Sequence, residues 1–416
     1  MRTGTAPLRR IATVFNGGTP TSDAVNWGGD VPWATPNDLA KVDGTLLGAT
    51  ERTLTTVGLK AGSAQVPAGS LILSTRAPIG YVAVTDRPMA FNQGCRGIVP
   101  GPQSDGRYLR YHLWSRREAL HSLGTGSTFQ ELGTDSLEGF PVPVPPLAEQ
   151  RRIADFLDDQ IPLIDATLRS TEHQASLVTE RTSAAIRREL LPGTSSIMNQ
   201  PPWFDDLPEK WVAAPLRAHW QVIDCKHLTP QYVESGFPVV SPGDITPGRL
   251  DLSRAHRFVN KADYLDLADE LRRCRPGDIV YSRNASAGTA ALVEDRTGPF
   301  TMGQDVCRIT SSQQSQVYLL YALNFLVRPQ LDSARVGSTF TRINIDRIKG
   351  LRVAVPPSID QKRIGESCDQ HWEAGSRIRS ALARQISLLQ ERKRALITAA
   401  VTGEFDVSTA SGRNTA

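Results

Sequence analysis

No run of 18 apolar residues occurs in the 416-residue chain, so a membrane-spanning helix is not expected. Met1-Arg2-Thr3-Gly4-Thr5 leads into no apolar segment of signal-peptide type, so no secretory signal is expected. Cysteine is sparse. The five thiols, Cys95, Cys225, Cys274, Cys307 and Cys368, are scattered and never form a CxxC pair, which suits a reduced, cytoplasmic protein and argues against a zinc site. No GxxxxGK[ST] loop is present, so ATP-driven work by this chain is not expected. HExxH is absent, the seven histidines are scattered, and no Asp/Glu–x–Lys grouping resembles a nuclease metal site. Ser/His or Cys/His pairs stay open, but none repeats along the chain. A strong charge of one sign is also missing. Forty-seven Lys and Arg stand against 43 Asp and Glu, a net +4 with pI near 8.8, compatible with a nucleic-acid partner and equally with an ordinary soluble protein.

What the chain does have is a duplication. Gly126-Ser127-Thr128-Phe129, Val142-Pro143-Val144-Pro145-Pro146 and Gln150-Arg151-Arg152-Ile153 recur as Gly337-Ser338-Thr339-Phe340, Val353-Ala354-Val355-Pro356-Pro357 and Gln361-Lys362-Arg363-Ile364, each displaced by 211 residues. Residues 126–153 and 337–364 share 13 identities in 28 positions, where chance gives about one or two. Weaker anchors extend the match. Pro7-Leu8-Arg9 corresponds to Pro215-Leu216-Arg217, Gly69-Ser70-Leu71 to Gly277-Asp278-Ile279, and Tyr108-Leu109 to Tyr318-Leu319, whereas 40–65 and 246–274 have almost nothing in common.

Residues 1–145 read as a strand-rich domain, with short apolar runs such as Leu71-Ile72-Leu73 punctuated by Gly, Pro and Thr. Leu109, Leu113 and Leu120 share one face of a helix over 108–123. In 146–191 glycine disappears and Leu157, Ile161, Ile164 and Leu168 fall at three- and four-residue steps, the seam of a long helix that Pro162 is expected to kink. Residues 192–214, rich in Pro, Gly and Ser, read as a linker, and 215–355 as the second strand-rich domain. A second long helix over 356–405 has Leu382, Ile386, Leu389 and Leu396 on its seam, and a disordered tail is expected over 406–416. The first seam is most apolar early and the second late, so antiparallel pairing sets strong against strong and places the small and weak positions Thr171, Ala175 and Thr182 near Trp372 and Gly375. The expected fold class is α+β: two similar strand-rich domains separated by two long antiparallel coiled-coil helices, pseudo-twofold duplicated.

Gly124-Thr125-Gly126-Ser127-Thr128-Phe129 approaches a nucleotide loop, but the position matching Gly124 is Arg335 in the second copy. What repeats is Gly-Ser-Thr-Phe, whose backbone N–H groups and hydroxyls suit phosphate contacts. Gln200-Pro201-Pro202-Trp203 superficially resembles the base-holding motif of amino-methyltransferases and reads instead as a linker turn. Ser74-Thr75-Arg76 and Ser282-Arg283-Asn284 close equivalent strands. Arginine reads guanine and Asn or Gln reads adenine in the major groove. The candidate DNA contacts are therefore Ser74, Thr75, Arg76, Asn92, Gln93, Gly126, Ser127 and Thr128 in the first domain. In the second they are Ser282, Arg283, Asn284, Gln304, Gly337, Ser338, Thr339 and Arg342. No catalytic or metal-binding residue is assigned.

Taken together, Val-x-Val-Pro-Pro-x-x-x-Gln-x-x-Ile opening a long helix, duplicated behind two divergent domains, resembles the specificity subunits of type I restriction–modification systems. Leu207-Pro208-x-x-Trp211 and the ending Leu389-Gln390-Glu391-Arg392-Lys393-Arg394-Ala395-Leu396-Ile397-Thr398-Ala399-Ala400-Val401-Thr402-Gly403 are similar to that family as well. Two departures stand out. The first domain lacks the Trp-x-x-x-Leu-Pro-x-x-Trp lead-in, and the first helix ends Ser183-Ala184-Ala185-Ile186-Arg187-Arg188. The resemblance implies a non-catalytic subunit in which two target-recognition domains each read half of a bipartite site on double-stranded DNA. The helices would act as a ruler and dock methyltransferase subunits, two by implication, with restriction/translocase subunits as a further partner and no membrane. S-adenosylmethionine, Mg and ATP would belong to those partners. The competing readings are a stand-alone DNA methyltransferase or nuclease, and a coiled-coil adaptor that binds only protein.

Overall fold

A computed structural model describes residues 4–76, 78–126, 130–192, 207–283, 288–332 and 342–408. The chain divides into two compact units, Met1–Thr171 with Arg384–Ala416, and Glu172–Ala383. Each contains one globular domain and a part of both long helices.

In the first unit, Thr5–Pro7 pairs antiparallel with Pro141–Pro143, joining the two ends of the globular part. Between them lies a five-stranded sheet in the order Ala12–Asn16, Cys95–Pro100, Leu71–Ser74, Val82–Thr85, Leu46–Leu47. Only the last pair is parallel. Leu71–Ser74 and Val82–Thr85 are buried at every position, which is why they read as continuous apolar runs rather than alternating ones. The helices Gly106–Ser115 and Arg117–Ser122 cover one face, with Leu109, Leu113 and Leu120 packed against Leu71, Leu73 and Val82. Each such leucine contributes about 1.5–3 kcal/mol through burial. A second, four-stranded sheet runs Arg52–Leu54, Trp27–Ala34, Met89–Phe91, Gln65–Val66, and Ile72 and Ala83 pack against its Met89 and Phe91.

The second unit repeats this plan. Val212–Pro215 pairs with Arg352–Val355. The five-stranded sheet has the order Gln221–Asp224, Val306–Thr310, Ile279–Ser282, Ala290–Leu292, Gly248–Arg249, and again only its last pair is parallel. The second sheet differs. It has three strands, Phe258–Val259, Phe237–Val240 and Thr301–Met302. The common framework is thus the five-stranded sheet and its closing ladder. The segments without sequence similarity supply the last strand of that framework, Leu46–Leu47 or Gly248–Arg249, and edge strands of the sheets that differ, Arg52–Leu54 and Phe258–Val259.

The long helices span Leu147–Leu190 and Ser358–Thr402, and the first continues through an exposed Pro162. In the first unit, Ile153, Leu157, Ile161 and Ile164 share a cluster with Ile397, Ala400 and Val401, with Leu168, Leu389 and Leu396 partly buried against it. Lys393 Nζ pairs with Asp165 at 2.7 Å. In the second unit, Cys368 Sγ donates to Ile186 O at 3.8 Å, and Gly375 faces Thr182. Within each unit the sequence numbers run in opposite senses, so the helices are antiparallel, the arrangement expected from the uneven seams. Leu382 and Ile386 are half-buried and belong to no core cluster, so that part of the seam is weaker than its spacing implied.

Two boundaries shift. Leu207 and Trp211 pack against the second unit's core and a strand begins at Val212, so the ordered domain starts ahead of 215. Residues 193–206 of the expected linker lie outside the described residues. Val407 is buried in the helix cluster and Phe405 lies 5.7 Å from Phe156, so packing extends past 405. Residues 409–416 of the expected tail lie outside the described residues. Among the described residues no helix is long and apolar enough to cross a membrane.

Candidate nucleic-acid interface

The repeated Pro-Pro-x-x-x-Gln is a joint between sheet domain and helix. Gln150 is buried; its Oε1 accepts from Asp105 N at 2.9 Å and its Nε2 donates to Pro145 O at 2.9 Å. Gln361 does the same with Ser315 N at 3.0 Å and Pro356 O at 2.9 Å. A tyrosine pair adds to each joint. Tyr111 Oη donates to Asp158 Oδ1 at 2.7 Å, and Tyr321 Oη to Asp369. The cation that completes the pair has different origins. Arg110, on the same helix as Tyr111, meets Asp158 at 2.8 Å, whereas Arg249, on a strand, meets Asp369 at 2.6 Å. This joint sets the pose from which the loops beyond the sheets project.

In the first unit those loops are pinned by backbone. Thr75 N donates to Gly94 O at 2.8 Å and Leu132 N to Thr75 O at 3.0 Å. Ser74 is fully buried; its hydroxyl donates to Pro78 O at 2.7 Å and accepts from Tyr81 N at 2.9 Å. Thr75 is equally buried, its hydroxyl donating to Gly94 O at 3.1 Å. Neither side chain reaches the surface, which corrects their assignment as direct contacts. Arg76 is exposed and pairs with Glu131 at 2.8 Å. Gln93 is exposed beside the Thr19 hydroxyl, and Asn92 accepts from Gly94 N at 3.0 Å. Arg96 lies beneath, donating to Thr134 Oγ1 and Gln93 O at 3.0 Å each. Burial pulls its guanidinium below the usual arginine range, with nearby Glu131 opposing and Arg76 assisting. Gly126 is exposed with φ 118°, a conformation that suits glycine. Ser127 and Thr128 lie outside the described residues.

The second unit repeats the pins with other side chains. Arg283 N donates to Asp305 O at 2.7 Å and Ile343 N to Arg283 O at 2.9 Å. Arg283 itself is buried, its Nε donating to Ile343 O at 3.1 Å and its Nη1 paired with Asp224. It is a strut rather than a reader, and Ser282 is fully buried as well. Strand-end polarity does not reveal which way a side chain turns, and at position 283 it turns inward. Gln304 is exposed, donating to Thr229 Oγ1 at 2.9 Å. Arg342 is exposed, with Nε paired to Asp305 and Nη2 3.5 Å from His227 Nδ1. Asn284, Gly337, Ser338 and Thr339 lie outside the described residues.

Asp224, Cys225 and His227 bring three possible metal ligands within 4.8 Å of one another. Asp224 is already engaged by Arg283, Arg342 stands beside His227, and burial raises the Cys225 thiol. A cation there would meet two guanidinium groups, so the arrangement suits a polar bracket for the arginines better than a metal centre. Glu131, Arg96, Asp305 and His227 were not singled out by sequence reasoning. Glu131 and Arg342 are 211 residues apart, but they lie in a stretch, 130–134 against 341–345, where every position differs, so the repeat by itself does not mark them.

The model for the type I restriction modification DNA specificity domain matches residues 5–172 and 230–386. The type I restriction enzyme MjaIX specificity subunit of Methanocaldococcus jannaschii is 27% identical over 365 residues, covering 84% of this chain and 82% of that protein. The EcoBI specificity subunit of Escherichia coli is 20% identical over 370 residues, covering 82% and 76%. A chain from a solved structure concerned with complex assembly and conformational transition of the type I R-M system superposes with a TM-score of 0.71 at 16% identity, covering 97% of this chain and 98% of its own. That likeness establishes a shared fold. With both halves matched by one family model and the duplicated sheet framework in place, the chain belongs to the type I restriction–modification DNA specificity family, as a non-catalytic subunit that recognises DNA sequence.

Proposed function

We propose that each unit reads one half of a bipartite site on double-stranded DNA, and that the paired helices set the unread gap and dock methyltransferase subunits, two per chain, with restriction/translocase subunits joining the complex. The observation that carries this is one five-stranded framework, pinned identically in both units, presenting different exposed groups at equivalent places. Two copies of one scaffold with unlike loops suit two different half-sites. Arg76, Asn92, Gln93, Gln304 and Arg342 are the proposed contacts among the described residues, with Gly126 contributing backbone. Ser127, Thr128, Asn284, Gly337, Ser338 and Thr339 complete the set. Ser74, Thr75, Ser282 and Arg283 hold the loops that carry them. S-adenosylmethionine, Mg and ATP belong to the partner subunits, and the complex works in the cytoplasm, where its DNA lies.

The test is a map of methylated adenines in cells carrying the full complex with and without this chain. A bipartite motif that depends on the chain is expected. Exchanging residues 1–145 for another family member's first domain should change one half of the motif only. A change in both halves, or methyl transfer by the purified chain alone, overturns the reading.

A further inference from the structure

Positions 131 and 342 hold the same place in the two units. Each precedes the residue whose N–H fastens to the end of a central strand, Leu132 to Thr75 and Ile343 to Arg283, at 3.0 and 2.9 Å. The two positions carry opposite charge. Glu131 receives Arg76 at 2.8 Å, whereas Arg342 is itself the cation and gives its Nε to Asp305. Both pairs are open to solvent on the arginine side, with Arg76 46% and Arg342 48% exposed. Asp305, the carboxylate under Arg342, has φ 64°, in the left-handed region that aspartate enters more readily than most residues with a β-carbon. Gly94 occupies the equivalent place in the first unit, its carbonyl accepting from Thr75 as that of Asp305 accepts from Arg283. Gly94 is not left-handed, so the two places share this hydrogen bond rather than a backbone conformation, and what Asp305 adds is a carboxylate beside Arg342.

Resting on the half-site reading above, we propose that each unit reads a guanine with one carboxylate-held arginine, Arg342 on Asp305 and Arg76 on Glu131, the two acids being positioning residues. Guanine presents two adjacent acceptors, O6 and N7, in the major groove, and a guanidinium fork matches them with two parallel N–H bonds. With Nε of Arg342 paired to Asp305 and Nη2 3.5 Å from His227 Nδ1, Nη1 and the second N–H of Nη2 face that task, and Arg76, which meets Glu131 through Nη2, offers Nη1 and the second N–H of Nη2 likewise. A neighbouring carboxylate also repels backbone phosphates, so a held arginine suits a base edge better than a phosphate. Holding the fork in advance reduces the side-chain entropy lost on binding. Polarity is exchanged between the copies: the block that supplies the acid in one unit supplies the arginine in the other.

The full-length chain, assembled with its methyltransferase subunits, would be assayed for methylation of DNA libraries randomised across each half-site. Arg342→Ala should lower discrimination at one G·C position of one half-site by about 5- to 150-fold. Arg342→Lys should keep overall affinity and its salt slope while losing that choice. Asp305→Asn should relax the same position to a smaller degree, whereas a purely structural role would lower methylation at all sequences equally. Arg76→Lys and Glu131→Gln should act in the same way on the other half-site. If Arg342→Ala weakens all sequences uniformly and reduces the salt slope by about one, Arg342 is a phosphate contact and the inference fails. It fails too if the parent motif is bipartite and both arginine variants leave it unchanged. A parent complex that returns no bipartite motif overturns the half-site reading itself, and this inference with it.

Discussion

The hydroxyl of Thr182 occupies the space that a β-carbon on Gly375 would need: the two would lie 2.2 Å apart. Thr182 cannot easily turn aside, because it is β-branched and its Oγ1 donates to Val178 O at 2.7 Å. Gly375→Ala improves helix propensity by about 1 kcal/mol, but the clash costs about 1–3 kcal/mol. A lowered Tm is expected for the single variant. Combined with Thr182→Ala, the same change should become neutral or stabilising, and a double-mutant cycle by thermal denaturation measures the coupling.

Gln361→Leu should destabilise the second unit by about 2–6 kcal/mol. It leaves Ser315 N and Pro356 O unpaired in a buried joint, and each orphaned group costs about 1–3 kcal/mol. Gln150→Leu should do the same in the first unit. Gln385→Leu, on an exposed helix face, should change stability by less than about 0.5 kcal/mol. Denaturant titration of the three variants checks the contrast.

Burial lowers the His112 imidazole to about 4 from an ordinary 6.5, even though its Nε2 lies 3.2 Å from Pro141 O. The folded value is below the unfolded one, so the unfolded chain takes up the proton first as pH falls. This contribution is absent above pH 6.5 and grows between about pH 6.5 and 4 to a loss of roughly 3 kcal/mol. His112→Gln should flatten the fall in stability in that window relative to the parent, read from denaturant midpoints at several pH values.

The thiols should resist alkylation in the folded chain. Burial pushes Cys368 and Cys274 up to about 12 and raises Cys95, Cys307 and Cys225. Thiolate is the reactive form, so iodoacetamide at mildly alkaline pH should label the native protein slowly. Unfolding should expose all five thiols to rapid labelling, counted by mass spectrometry.

The duplication, the long helices and their antiparallel pairing were legible because they rest on periodicity and on a repeat with a single displacement. Leu157 and Ile164 sit on their seam because three- and four-residue spacing puts them there under helical geometry. The reading loops were less legible. Arg76 and Arg342 proved exposed, whereas Ser74, Thr75, Ser282 and Arg283 proved buried. Residue type states what a group can bond to and leaves open whether that bond is made inward or outward.

The sequence by itself determined that one framework is used twice, since identity in one ungapped block, with weaker anchors in the same order before it, survives without any knowledge of packing. It also determined where the copies diverge. Tertiary structure decided what the repeated glutamine does: only the fold brings Gln150 to Asp105 and Gln361 to Ser315 across more than 40 positions of chain. It decided, too, that Glu131 faces Arg76 while Arg342 faces Asp305. Those pairings depend on which backbone groups the strands leave at their ends, a non-local property that local pattern does not carry.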